Sequence, residues 1–421
     1  PRLVKNTINW NKAKISLGDK KPNPFSYFSK KLQPKNIPCH TINTNKSAHE
    51  IIQKNIKYSP MFSGDIGGTG PRYCPSIEDK VFRFKEKESH LLHLEPEWLG
   101  SDQIYLNGFS TSLPESSQLL ALRKIEGLEN VEFFRPGYAI EYDFFPPSQL
   151  KATLETKDVS GLFFAGQMNG TSGYEEAAAQ GLISGINAAK KIKNKKELVL
   201  TRDSSYIGVM IDDLITKDTG EPYRMFTSRA EHRLILRITN TFERLYKIAN
   251  EKNLLSEKEL LIAKTANIVK KEIKKNLLKS ISGKDLKKPE EVKHAQPAKN
   301  LLKRPSLSIF DLPKSIITTK NNLPAWLETE VAYDVESDIK YEGYLKRQYQ
   351  EIRNLHKNEK LLIPRKTNFY KIPGLSKEAA EKLTLIRPEN LGQASRISGI
   401  TPSNAVVLHL FLSKNLFHVK Q

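Results

Sequence analysis

Cysteine is scarce in this chain: two residues, Cys39 and Cys74, in 421. They leave no disulfide framework and point to a reducing compartment. CxxC and HExxH spacings are missing and the nine histidines are scattered, so no metal site is legible. No apolar run approaches the ~20 residues that span a bilayer. Residues 406–412 read only as a short core segment, and no signal-peptide pattern is present. A strand followed by GxGxxG is also missing. GDIGGTG at 64–70 has the wrong spacing and no strand before it, so it reads as a loop.

What is present is a globular composition, 38% hydrophobic and 27% charged, long enough at 421 residues for two or three domains. The formal charge of +20 and a pI of about 9.6 suit a polyanionic partner. A lysine-rich proteome explains them equally well. The basic run at 190–196 reads as a solvated face or linker.

The chain is organised around residues 160–189, SGLFFAGQMNGTSGYEEAAAQGLISGINAA. A short apolar run at 161–165 has strand length. A turn follows with Gly166, Gln167, Asn169, Gly170, Thr171 and Gly173. A helix then starts near Tyr174, with Glu175 and Glu176 in its first turn. Strand, glycine turn and helix place free backbone N–H groups and the positive end of a dipole toward whatever binds. A structural βα turn has the same appearance.

A second stretch, GPRYCPSIEDK at 70–80, sets Cys74 between Pro71 and Pro75 with Arg72 nearby. Ser76 is placed to cap a helical turn that carries Glu78 and Asp79. A cysteine before a helix N-terminus beside an arginine is in the setting that lowers a thiol pKa. An inert structural cysteine fits the same residues, and that is the reading preferred for Cys39.

Elsewhere strands are expected near 38–43 and at 90–94, 104–107, 131–134 and 139–142, with a helix at 115–124. Arg135, Tyr138, Glu141, Tyr142 and Asp143 form a polar-aromatic group. Arg224, Arg229, Arg233 and Arg237 recur every four or five residues. In a helix they would make a basic stripe; otherwise they pair with Glu221 and Glu231. Helical periodicity covers 242–249, 257–275, 340–354, 377–382, 393–397 and 402–412, and 280–305 reads as a linker. Tyr341, Tyr344 and Tyr349 alternate with Lys346 and Arg347, which suits either base stacking on RNA or bundle packing.

Several of these words resemble the MnmG/GidA family: AGQMNGTSGYEEAAAQG (165–181), GPRYCPSIEDKV (70–81), RPGYAIEYDFF (135–145), EPYRMFTSRAEHRL (221–234) and LGQASRISGITP (391–402). The family pattern has Tyr where His232 stands. The resemblance implies an α/β FAD/NAD(P)-binding domain remainder of the glutathione-reductase type with an inserted α+β domain, followed by an all-α domain. Its implied bounds are 1–147 for the inserted region, 148–240 for the C-terminal part of the FAD domain and 241–421 for a helical tRNA- and partner-binding domain. The family's N-terminal FAD pyrophosphate unit is not in this sequence. The chain is therefore expected to be N-terminally truncated, and alone to bind FAD weakly or not at all and be inactive.

The implied activity is carboxymethylaminomethyl modification at C5 of the tRNA wobble uridine. It uses FAD, NADH and methylenetetrahydrofolate, in a cytoplasmic homodimer (or in the mitochondrial matrix) working with a GTPase subunit. The implied catalytic positions are Cys74, Arg72, Glu78, Asp79 and Lys80. Flavin contacts fall on Gly166, Gln167, Asn169, Gly170, Thr171, Gly173, Tyr174 and Glu175. Nicotinamide contacts fall on Gly70, Pro71, Tyr73, Pro75 and Ser76. Thiolate addition to uracil C6 makes C5 a carbon nucleophile, and Glu78 or Asp79 would take the C5 proton. The alternatives are a folate- and FAD-dependent tRNA uracil-5-methyltransferase, distinguished by a methyl group at C5, and a non-catalytic tRNA- or partner-binding piece.

Overall fold

The structure, a computed structural model, describes residues 1–20, 22–29, 37–63, 75–140, 143–217, 222–287, 294–359 and 361–418. The chain divides into two compact units: Pro1–Pro24 with Leu32–Asp143, and Phe25–Lys31 with Phe144–Gln421.

The first unit is a six-stranded antiparallel sheet with helices on one face. Its strands are β1 (Arg2–Val4), β2 (Lys14–Ser16), β3 (Cys39–Asn43), β4 (Leu91–Pro96), β5 (Gln103–Asn107) and β6 (Phe133–Arg135), in the order β2-β3-β4-β5-β1-β6. Its helices are α1 (Lys46–Asn55), the single turn α2 (Pro60–Ser63), α3 (Ile77–Arg83) and α4 (Glu115–Leu122). The side-chain period of two decides which face is covered. Leu92 and Leu94 are fully buried while Leu91 is exposed. They form one core with Ile104, Leu106, Ile52, Ile77, Val81 and Leu122. α1 starts where the Asn45 side chain accepts the Ala48 amide at 2.9 Å. Of the strand expected at 139–142, residues 139 and 140 are irregular, and 141 and 142 lie outside the described residues.

The second unit is helical: α5 (Tyr174–Ile192), α6 (Tyr206–Thr216), α7 (Thr241–Glu251), α8 (Glu257–Asn276), α9 (Ala298–Leu302), α10 (Lys314–Ile317), α11 (Ala325–Lys340), α12 (Glu342–Glu359), α13 (Lys377–Ile386), α14 (Leu391–Arg396) and α15 (Pro402–His418). α8 opens on a capping box between Ser256 and Glu259. The stretch expected to be a linker is ordered on both sides of 288–293, which lie outside the described residues. β7 (Ser280–Ile281) pairs with β8 (Gln296–Pro297). Leu286, Ala298, Leu301 and Leu302 enter the core of α8 and α11, because their apolar burial outweighs the local lysine and proline content. One core joins α5 and α6 through Ile183, Met210, Leu214 and Tyr223. A third is built from α13 to α15.

The expected strand at 161–165 makes only a single bridge, Phe163 to Glu155. Among the described residues no longer ladder runs beside it; its amides are met by the loop before it instead, Phe164 by the Leu154 carbonyl at 3.1 Å and Gly161 by Glu155 Oε1 at 2.7 Å.

Two ionic groups brace this unit. Lys270, which is almost fully buried, meets Asp334 at 2.5 Å, Asp338 at 2.8 Å and Glu243, while Arg237 meets Asp334 at 2.8 Å and also Asp338. The three carboxylates converge closely enough to suggest a cation site, but Lys270 and Arg237 already neutralise them. The other group ties α6 to α14. Arg396 grips Asp212 in bidentate fashion at 2.7 and 2.8 Å, and Arg202 bonds Asp212, Asp213 and Glu231.

Candidate functional site

The turn between Phe164 and α5 is a knot of buried amides. Gln180, one and a half helical turns into α5 and fully buried, is its hub. Its Oε1 accepts the Gly166 amide at 3.1 Å and Asn169 Nδ2 at 2.8 Å. Its Nε2 donates to Thr171 Oγ1 at 2.9 Å and to the Glu176 carbonyl at 3.1 Å. Thr171 Oγ1 in turn donates to the Gly166 carbonyl at 3.0 Å. Two donors on one end and two acceptors on the other fix the amide's orientation. The turn's outer edge is held by Tyr223, whose amide donates to the Gly170 carbonyl at 2.7 Å.

Two glycines here are required by close approach. Gly170 has φ 74°, and a Cβ there would strike the Phe144 ring. A Cβ on Gly173 would collide with the Glu176 carboxylate and the Arg224 guanidinium.

α5 begins at Gly173 with no side-chain cap, so its first amides remain available. Tyr174 is 94% exposed, and Gln167 and Glu175 are exposed as well. The acidic first turn would oppose an electron-rich ligand, but the structure disposes of one of its carboxylates. Glu176 is buried, its Oε1 accepts the Met225 amide at 2.8 Å, and Arg224 lies 3.7 Å from it. Buried Asn169 Oδ1 and Glu176 Oε2 have no partner. The uncapped N-terminus of α5 is the feature of this turn that suits an electron-rich ligand, while the unpaired acceptors lie in the buried interior of the turn.

The second expected group belongs to the first unit. Gly70, Pro71, Arg72, Tyr73 and Cys74 lie outside the described residues. Beyond them, Pro75 is half-buried and Ser76 is buried. Ser76 Oγ caps α3 by accepting the Asp79 amide at 3.1 Å, the role its sequence position suggested. Glu78 is fully buried. Its Oε1 accepts the Ser112 amide at 2.9 Å and the Ser59 hydroxyl at 3.3 Å, and its Oε2 has no partner. Asp79 faces Arg83 at 3.5 Å. Lys80 Nζ donates to the Gly108 carbonyl at 2.9 Å. The Cys39 thiol is pushed up by burial and by Glu95, which makes it a poor nucleophile.

The arginine stripe does not form. The backbone from 224 to 237 contains one 3-10 turn, Thr227–Arg229, and no α-helix. Arg224 turns to Glu175 and Glu176, Arg229 lies over the Tyr223 ring at 4.4 Å, and Arg237 serves the buried network. Internal pairing is thus the outcome for these, with other partners than expected. Glu231 takes Arg202, and Glu221 lies outside the described residues. His232 is buried, which removes it from any stacking role. Arg135 and Tyr138 are exposed, and the rest of the expected group includes 141 and 142, which lie outside the described residues. Tyr341, Tyr344 and Tyr349 are exposed rather than packed in the bundle.

Sequence reasoning missed Gln180 and Glu176. A signal existed: Glu176, Gln180, Ile183, Ser184 and Asn187 share the buried face of α5. Polar residues at the period of an apolar stripe demand buried partners.

Comparison with known proteins covers almost all of this. The family profile described as Glucose inhibited division protein A matches residues 1–196. The profiles described as tRNA modifying enzyme MnmG/GidA C-terminal helical domain and C-terminal helical bundle match residues 240–349 and 351–420. The protein named tRNA uridine 5-carboxymethylaminomethyl modification enzyme MnmG from Syntrophotalea carbinolica is 46% identical over 420 residues, 98% of this chain and 67% of that protein. Its namesake from Chlorobium chlorochromatii is 47% identical over 423 residues, 98% and 68% of the two chains. The solved structure of Aquifex aeolicus GidA in its form II crystal superposes with a TM-score of 0.83 at 41% identity, covering 98% of this chain and 66% of that one. The chain spans about two thirds of the length of these relatives. On the strength of profiles, relatives and fold together, the chain belongs to the MnmG/GidA family.

Proposed function

We propose that this chain is part of an FAD-dependent tRNA-modifying enzyme that adds a carboxymethylaminomethyl group to C5 of the wobble uridine. The observation that carries the reading is the 46% identity to MnmG proteins along 98% of the chain. The knotted glycine turn before α5 supports it. Gly166, Gln167, Asn169, Gly170, Thr171, Gly173, Tyr174 and Glu175 would hold the flavin ring, and the FAD supplies redox chemistry when bound. The finer parts of the reading are NADH as reductant, methylenetetrahydrofolate as one-carbon donor, a GTPase partner subunit, a homodimer and a cytoplasmic location. Residues 70–76 would meet the nicotinamide.

The chain's own chemistry lies with Cys74. Its thiolate, favoured by Arg72 and by the α3 N-terminus, adds to C6 of the uracil. The C5=C6 π electrons move onto the C4 carbonyl as an enolate. C5 then bonds to the folate-derived methylene carbon, which carries the amine nitrogen of glycine once the folate nitrogen has left it, a carboxylate takes the C5 proton, and the thiolate leaves as C5=C6 re-forms. Asp79 is the better base, since Glu78 is closed off from solvent and tied to Ser112 and Ser59. Lys80, anchored to the Gly108 carbonyl, positions α3.

The two helical profiles at 240–349 and 351–420 favour this over the uracil-5-methyltransferase alternative. Nucleoside mass spectrometry of tRNA treated with the full-length protein, its partner with GTP, the three cofactors and glycine as the amine source tests it. Carboxymethylaminomethyluridine is expected; methyluridine alone, or unmodified uridine, would contradict the reading.

A further inference from the structure

The basic run at 190–196 looks like a linker in the sequence, but the structure builds it into a cleft. α5 and α7 each end on an asparagine in the left-handed region, Asn194 at φ 49° and Asn253 at φ 54°. After each, the following amide reaches back to the helix: Lys195 to the Lys190 carbonyl at 2.8 Å and Leu254 to the Ala249 carbonyl at 3.0 Å, a Schellman stop. Both stops line one open cleft of about 470 Å³. Lys190, Lys193, Lys195, Lys196 and Lys252 surround it, and Glu251 is the one carboxylate among the lining residues.

Carbonyl contact at and just beyond the two helix ends accounts for two of the lysines. Lys252 Nζ donates to the Lys196 and Glu197 carbonyls at 3.2 and 2.8 Å, and Lys190 Nζ reaches the Lys252 carbonyl at 3.5 Å. It does not account for Lys193, Lys195 and Lys196. These are exposed and make no ion pair among the described residues, while Glu251 faces Lys247 at 3.8 Å. The positive charge is therefore uncancelled. Lys190 registers it: burial, then Lys252, Lys195 and Lys193, lower its pKa.

We propose that this cleft binds phosphodiester groups of an RNA backbone. Lysines are point charges on long stems and set no fixed geometry, which suits a polyanion sliding in rather than one oriented small phosphate. The inference rests on tRNA being the substrate. α5 has 19 residues, so at about 1.5 Å each the cleft lies about 28 Å from the turn at its other end. The phosphates held here thus belong to a part of the RNA remote from a nucleotide at that turn, and the cleft contributes affinity rather than chemistry.

The test is tRNA binding by the full-length protein between 50 and 200 mM salt, with an unmodified transcript carrying a wobble uridine as probe. Lys193→Gln, Lys195→Gln and Lys196→Gln are combined, with flavin content and thermal midpoint as folding controls. Losing three phosphate contacts makes the slope of log affinity against log salt shallower by about 2 to 3. The wild-type advantage then shrinks about 20- to 40-fold across that range. The triple Lys→Arg variant keeps the wild-type slope. A Gln variant with the wild-type slope, or an Arg variant that behaves like it, overturns the cleft while leaving the function standing. A wild-type protein that does not bind tRNA overturns both.

Discussion

Replacing Gln180 with Leu removes the hub of the candidate flavin turn without changing side-chain volume much. In the folded protein it leaves the Gly166 amide and Asn169 Nδ2 without their acceptor, and Thr171 Oγ1 without its donor. All three residues are buried. The Glu176 carbonyl loses less, because it also sits in the α5 helical ladder. A buried polar group left unpaired costs about 1–3 kcal/mol. Two orphaned donors therefore cost about 2–6 kcal/mol, part of it recovered where water enters. For a unit of this size each kcal/mol lowers the midpoint by about 2–4 °C, so a fall of about 5–15 °C is expected. The turn also loses its shape, so FAD should dissociate, read as recovered flavin fluorescence after gel filtration of the full-length protein. A midpoint shift below about 2 °C with flavin fully retained would refute the claim that this side chain shapes the turn.

Three other predictions concern separate parts of the chain. Arg396→Met leaves Asp212 with Arg202 alone and should destabilise the α6–α14 contact by about 2–3 kcal/mol. In urea melts, its cost combined with Asp212→Asn should fall short of the sum of the single variants, and strict additivity would count against the pair. His49 and His90, 5.2 Å apart, are both held below the ordinary histidine value of 6.5, by burial first and, for His90, by His49 next. The folded unit then binds fewer protons than the unfolded chain. Stability is full above about pH 6.5 and is lost as pH falls below it. Urea midpoints at pH 7.5 and 5.5 should show the drop, and a His49→Gln, His90→Gln double variant should flatten it. Cys74→Ala in the full-length protein should abolish the modified nucleoside while flavin stays bound; unchanged nucleoside levels would remove the nucleophile.

What the sequence disclosed follows from how local each feature is. α5 was legible from its alanines and first-turn acids, the Ser76 cap from its position, and the helices expected at 242–249, 257–275, 340–354, 377–382, 393–397 and 402–412 from periodicity. Each of these is set by contacts within a few residues. α11 and α6 were not legible. α6 is buried on nearly every side, so it carries no amphipathic stripe to read. The strand expected at 161–165 failed because a ladder depends on a partner that local sequence does not encode. The arginines at 224 to 237 have helical spacing, yet their partners lie far along the chain, up to Asp338 for Arg237. Gln180 was not singled out in the sequence, although it shares the buried face of α5 with Glu176, Ile183, Ser184 and Asn187; which polar atoms it meets across the turn is not set by its neighbours in the chain.

The covalent step is tested most directly with a tRNA carrying 5-fluorouridine at the wobble position. Fluorine at C5 cannot leave as a proton, so a thiolate that adds to C6 stays attached. Peptide mass mapping of the full-length protein after incubation with this RNA and the cofactors should find the nucleotide on Cys74. An adduct on Cys39, or no adduct while the unsubstituted tRNA is still modified, would contradict the assignment.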